Sequence, residues 1–247
     1  MHRFFVNGNQ ISEDKIIIVG TDVKHIRNVL RLKINDKIEI SCDGKEYLCE
    51  IIELNKDDII VEIKNIRQGD SESKIEITLF QGLSKGNKME LVFQKCTEIG
   101  VKEFVPVAMH RSVVKIKELK KEQNKVERWN AIVEEAAKQS KRNYIPKVKN
   151  IISFDEMINV LKEEKNIIVP YEDEEHLTIK EGILDLNSQK INILIGPEGG
   201  FEPEEIEKLK SIGAKITTLG SRILRTETAA IVASAIVLYE AGNIGVI

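Results

Sequence analysis

Three cysteines in 247 residues, Cys42, Cys49 and Cys96, show no paired spacing. That excludes a disulfide framework and a cysteine-built zinc site. Histidine is equally scarce. His2, His25, His110 and His176 are scattered and form no HExxH pattern, so they read as structural and no metal is expected. No apolar run approaches the ~20 residues that cross a bilayer. The longest candidate, Ala229 to Tyr239, reads as a buried helix, and Met1–Phe5 lacks the apolar core of a signal peptide. A cytoplasmic protein with no membrane partner is the expectation. Neither GxxxxGK[ST] nor GxGxxG occurs, which argues against a nucleotide-dependent Rossmann enzyme.

Charge is present in quantity but unevenly placed. The net charge of −3 argues superficially against a nucleic-acid partner, yet residues 85–150 carry a net +8 and residues 151–247 a net −8. A local basic surface can bind phosphates on a slightly acidic chain. Solvated lysine-rich helices account for much of the same excess.

The first ~70 residues read as strands joined by polar turns. Ile16–Val19, Lys37–Ser41, Glu46–Leu54 and Ile59–Ile66 are rich in β-branched residues, and Asp43-Gly44 is a hairpin signal. One helix, Val23 to Leu30, interrupts them, with Thr21 or Asp22 as its cap. The polar, turn-rich segment Gln68–Ser73 reads as a linker. Beyond it strands alternate with helices, which predicts a parallel sheet covered on both faces. Strands are expected at Ile75–Gln81, Phe104–Ala108, Ile167–Pro170, Ile191–Ile195 and Lys215–Leu219. Met89, Val92, Phe93, Cys96 and Ile99 share one helical face, as do Val126, Trp129, Val133 and Ala136. Ser153 and Glu156 form a capping box. The expected division is a domain over 1–70 and an α/β domain over 74–247.

Each of the last three strands runs into an unusual loop: Pro170–Asp173, Gly196–Phe201 and Gly220–Ala230. In open α/β sheets, ligands sit beyond the carboxyl ends of strands, where these loops lie. Taken alone, Gly196–Gly200 is equally a turn before a helix opened by Pro203, and Arg222 and Arg225 are equally surface ion pairs. Taken together, Ile195-Gly196-Pro197-Glu198-Gly199-Gly200-Phe201 and Leu219-Gly220-x-Arg222-Ile223-Leu224-Arg225-x-Glu227-Thr228-Ala229 resemble the signature of the 16S rRNA uracil-N3 methyltransferases. His2-Arg3-Phe4-Phe5, His25 through Arg31, and Gln139-Ser140-Lys141-Arg142-Asn143-x-x-Pro146 are similar to further segments of that family. Lys141 departs from it, standing where a small residue is expected.

The resemblance implies an N-terminal PUA-like RNA-binding β-barrel and a C-terminal SPOUT α/β domain with a deep trefoil knot. It implies a homodimer that uses S-adenosyl-L-methionine to methylate N3 of a uridine in 16S rRNA of the small ribosomal subunit. The knot comes from the resemblance alone, since generic topology rules give an unknotted sheet. The cofactor would be held by Pro170, Gly196, Pro197, Glu198, Gly199, Gly200, Leu219, Gly220, Ile223, Leu224 and Thr228. Arg225 is the candidate for stabilising charge on the uracil, with Glu198 or Glu227 taking the proton or orienting the base. Arg3, Arg27, Arg31, Lys141 and Arg142 are the candidate rRNA contacts. The alternatives are a SPOUT enzyme acting on another rRNA or tRNA position, and a non-catalytic RNA-binding or ribosome-assembly protein.

Overall fold

A computed structural model describes residues 1–112, 119–183, 189–241 and 244. The chain divides into two compact units. One comprises Met1–Glu72 with Ala137–Ile145, the other Ser73–Ala136 with Pro146–Ile247.

In the first unit, β1 (Arg3–Phe5), β2 (Lys15–Val19), β3 (Lys37–Cys42), β4 (Lys45–Leu54) and β5 (Asp58–Gln68) form one sheet in the order β1-β3-β4-β5-β2. Asp43 and Gly44 both take positive φ, 48° and 77°, and close the β3–β4 hairpin. Two register shifts between β4 and β5, at Leu48/Cys49 and Ile51/Glu53, add the local twist by which the sheet curls. Its inner face buries Phe4, Ile16, Ile18, Ile38, Ile40, Ile51 and Val61 in one cluster. Where one helix with a side-chain cap is expected, the structure has α1 (Thr21–Lys24) behind an uncapped Gly20, running directly into a π-helix, His25–Leu30. The π-turn ends at Arg31 in the left-handed region, φ 53°. The sequence places residues 137–145 in the second domain. They pack in the first unit because Arg3 reaches the carbonyls of Lys141 and Arg142 and the Asn143 amide.

In the second unit the chain runs β6 (Glu76–Gly82), α2 (Lys88–Ile99), β7 (Glu103–Ala108), α3 (Leu119–Gln139, whose last residues count with the first unit), β8 (Lys147–Val148) and β9 (Ile152–Ser153). It continues through α4 (Phe154–Leu161), β10 (Ile167–Pro170), α5 (Ile179–Ile183), β11 (Lys190–Ile195), α6 (Pro203–Ser211), β12 (Lys215–Thr217) and α7 (Thr226–Glu240). The strands pair in parallel in the order β12-β10-β11-β6-β7-β8, with β9 also on β7. Strand alternation sends successive side chains to opposite faces. Phe80, Val105, Val107 and Leu194 meet α4 and α6 through Met157, Leu161, Ile206 and Leu209. Phe104 points the other way and packs edge-on against Phe93 of α2, which in turn meets Trp129 of α3. The sheet is covered on both faces, as the strand–helix rhythm predicts.

The capping box forms as expected. Ser153 Oγ accepts from the Glu156 N–H, and the Glu156 carboxylate accepts from the Ser153 N–H at 2.7 Å. Ser153→Ala should lower the unfolding free energy by about 1 kcal/mol. Urea unfolding monitored by circular dichroism checks it, and an unchanged midpoint would show that the cap contributes nothing to α4.

Candidate active site

Parallel pairing aligns the strand ends that matter. Pro170 lies beside Thr217, Ile195 beside Gln81, and Gly82 beside Val107. The loops after β10, β11 and β12 therefore emerge at one edge of the sheet and enclose a pocket of about 620 Å³. Of the expected cofactor residues, Pro170, Gly196, Pro197, Glu198, Gly200, Leu219, Gly220, Ile223 and Leu224 line it, and so does Arg225. Gly199, Glu227 and Thr228 are not in the wall.

Gly199 turns its open side away from the pocket. A Cβ there would lie 2.9 Å from Arg111 Cβ and 3.0 Å from the Arg111 carbonyl, so its bare side faces that segment and not the pocket. Arg111 also donates to the Gly199 carbonyl at 3.2 Å and pairs with Glu202 at 2.9 Å. Gly200 does need its freedom. It adopts φ 70°, and a Cβ would meet Glu172 Oε1 at 2.5 Å.

The glycine loop is fixed from beneath. The Thr226 hydroxyl donates to the Gly196 carbonyl at 2.6 Å and accepts from Gln81 Nε2 at 2.9 Å. Gln81 and Thr226 are both buried, and together they lock the start of α7 to the loop. The sequence suggests that Thr226, Glu227 and Thr228 cap this helix. Instead Arg225 occupies the cap position without a side-chain cap bond, because the Thr226 hydroxyl is taken by Gly196.

Glu198 is a poor proton acceptor. Burial alone would raise its pKa, but the Lys85 N–H at 2.9 Å and the Lys88 ammonium at 3.2 Å outweigh that and hold it below the ordinary value. Tyr171, also in the wall, is pushed up to about 12, chiefly by donating its hydroxyl to Asp173 at 2.8 Å, so it stays neutral. Glu227 lies 3.7 Å from Lys88, and its Oε2 is buried with no hydrogen-bond partner. Arg222 and Arg225 are exposed at the pocket, and among the described residues no carboxylate forms an ion pair with either. Lys88, Gln81 and Arg111 went unforeseen. The one available signal was Lys88, a cation in the first turn of a helix, where the dipole favours anions.

The basic candidates separate sharply. Arg3 is 5% exposed and pairs with Glu46 at 2.8 Å and Glu39 at 3.3 Å, and Arg142 is 3% exposed and pairs with Glu72 at 2.6 Å. Their guanidiniums are consumed inside the first unit, which corrects their reading as phosphate contacts. Arg27, Arg31 and Lys141 are exposed. Lys141 has φ 58°, which explains why a small residue is expected there.

A model of the RNA methyltransferase domain matches residues 71–238, and a model of the RNA methyltransferase PUA domain matches residues 18–64. The ribosomal RNA small subunit methyltransferase E of Bacillus subtilis is 35% identical, with 97% of each chain aligned. The protein of that name from Mesomycoplasma hyopneumoniae is 36% identical over 94% of this chain and 96% of its own. The chain belongs to the small-subunit rRNA methyltransferase E family. The Neisseria gonorrhoeae member, solved bound to S-adenosyl methionine, superposes with a TM-score of 0.85 at 32% identity over 97% of both chains. The PUA match falls on the curled sheet, in agreement with the expected N-terminal fold. Membership also makes the three-loop pocket the place to look for the family's chemistry.

Proposed function

We propose that this protein transfers the methyl group of S-adenosyl-L-methionine to N3 of a uridine in 16S rRNA. The observation that carries the reading is the convergence, at one pocket, of the glycine loop and an exposed arginine at the start of α7 that no carboxylate among the described residues pairs with. The pocket falls within the roughly 300–1,000 Å³ typical of small-molecule sites. Leu219, Leu224 and Phe201 give it apolar wall, the glycine loop gives backbone donors and acceptors, and Glu172, Glu174 and Glu175 give it a carboxylate side. That donor set suits a ligand with an adenine and a cationic end better than a phosphate. The relatives' name and the ligand bound to the Neisseria member support the same assignment.

When bound, the cofactor supplies an electrophilic methyl group on a sulfonium. The chain's task is then to align the uracil and support its charge. As N3 loses its proton, negative charge spreads onto O2 and O4, and the Arg225 guanidinium, exposed at the pocket, would stabilise it. Glu198, its pKa lowered despite burial by the Lys85 N–H and the Lys88 ammonium, is a weak acceptor for that proton. N3 lies on the Watson–Crick edge, so the target must be unpaired or flipped.

The reading includes a knot formed by the three loops and a homodimer through α7, whose Ile231, Val232 and Ile236 are only partly buried and whose Tyr239 is 64% exposed. It also divides labour between residues 1–70, which bind RNA, and 74–247, which carry the chemistry. Incubation with 16S rRNA or small subunits and labelled cofactor, followed by mapping of modified uridines, tests the activity. Label at N3 of one uridine is the expected result. Label on tRNA or at another rRNA position would overturn the substrate assignment.

Affinity for that RNA should fall steeply with salt, because each phosphate contact releases counterions. Replacing Arg27 and Arg31 together with Ala should flatten the log–log slope by about 1.5, at the ~0.7 per contact of a single strand. Cofactor affinity should not change. Filter binding from low to moderate salt measures the slope, and an unaltered one would move the RNA footprint elsewhere on the first unit, to Lys141.

A further inference from the structure

Among the described residues, Lys88 is the single pocket-lining side chain that comes from outside the 170–229 stretch. It opens α2 directly after Asn87. A cation there opposes the helix dipole, which favours carboxylates in the first turn, so local preference does not account for it. Residues that break a local rule without local compensation tend to serve the site.

Its side chain is one third exposed, and its ammonium stands 3.2 Å from Glu198 Oε1 and 3.7 Å from Glu227 Oε2. The two carboxylates depend on it unequally. Glu198 has a second donor in the Lys85 N–H. Glu227 Oε2 is buried without a hydrogen bond, leaving Lys88 as its counter-charge. Glu227 sits in the first turn of α7, one turn with the cap residue Arg225.

We propose that Lys88 is a positioning residue for methyl transfer: by pairing with Glu227 it holds the first turn of α7, and with it Arg225, in place at the pocket. This rests on the methyltransferase reading above. Without Lys88 the buried Glu227 Oε2 keeps neither a hydrogen bond nor, among the described residues, a counter-charge, and such a group turns toward water or takes up a proton. Either response moves the turn that carries Arg225. The Lys85 N–H still holds Glu198 and Thr226 still ties the turn to Gly196, so the glycine loop and the cofactor site survive while Glu227 and Arg225 shift about that anchor.

Lys88→Met should therefore lower the single-turnover rate at saturating cofactor and RNA by about 10- to 50-fold, the scale of a small misplacement of a catalytic group. Cofactor affinity by calorimetry should hold. Lys88→Arg should recover most of the rate. On a Glu227→Gln background, where no buried charge needs a partner, Lys88→Met should add little. Hydrogen exchange in the protein without cofactor or RNA gives an independent readout: peptides covering residues 223–231 should exchange faster in Lys88→Met and normally in Lys88→Arg. An equal rate loss on the Glu227→Gln background would show Lys88 acting on the substrate directly and overturn the proposal. So would unchanged exchange, or lost cofactor affinity with a normal saturated rate. A wild-type protein that fails to methylate 16S rRNA overturns the functional reading instead, and the exchange comparison still decides whether Lys88 holds the turn.

Discussion

Arg225→Ala is expected to slow methyl transfer by about 10²–10³-fold, the range seen when one donor to a developing anion is removed. Arg225 caps α7 with extended backbone, φ −66° and ψ 150°, and its carbonyl accepts the Ala229 N–H at 2.8 Å. The next residue, Thr226, is pinned to Gly196 and Gln81. Thr226 thus anchors the backbone beside Arg225, while the Arg225 side chain stays exposed at the pocket and, among the described residues, no carboxylate pairs with it. The charge it complements exists only as N3 loses its proton, so ground-state cofactor affinity should change by no more than about twofold. Arg225→Lys should restore only part of the rate, since a point charge cannot donate in a planar fork. Single-turnover kinetics at saturating RNA and cofactor isolate this step. A normal rate with weakened RNA binding would reassign Arg225 to phosphate contact.

Local signals in the sequence survive into the fold where one short-range interaction decides the outcome. Asp43-Gly44 turns because both residues tolerate positive φ, and Ser153 with Glu156 caps α4 because the partners are three residues apart. The strand–helix alternation and the three loops are legible for the same reason, and the loops carry most of the pocket wall. What sequence reading misses depends on distant partners. The three residues of β1 are too short to register as a strand until β3 pairs with them in parallel. Arg3 and Arg142 look like surface cations because nothing nearby in sequence reveals that Glu39, Glu46 and Glu72 come to meet them inside the unit. Lys88 shows in sequence only as a cation misplaced in the first turn of α2, and its role stays hidden because its carboxylate partners lie more than a hundred residues away. Thr226 misleads differently, since it is a good capping residue whose hydroxyl has a better use in the Gly196 carbonyl.

Gly82→Ala should cost the protein most of its cofactor affinity, although Gly82 belongs to no recognisable motif. It ends β6, with β11 on one side and β7 on the other. A Cβ there would stand 2.5 Å from the Pro197 nitrogen, 2.8 Å from Pro197 Cδ and 2.9 Å from the Gly196 carbonyl carbon. Those are backbone and ring atoms, which no rotamer change moves aside. An interior strand paired along both edges resists displacement more than a loop does, so the glycine loop must give way. Overpacking of this kind costs about 1–3 kcal/mol, so cofactor affinity should fall by roughly 5- to 150-fold if the loop absorbs the shift. Gly199→Ala is the informative contrast. Its added methyl faces the exposed Arg111 and not the pocket, so even a β-branched residue at 199 would act through loop displacement and not by blocking the ligand. Calorimetric titration of both variants, with thermal melts as a folding control, should therefore rank Gly82→Ala as the more damaging. The reverse order would mean that the contact between Arg111 and Gly199, and not the floor laid by β6, sets the position of the glycine loop.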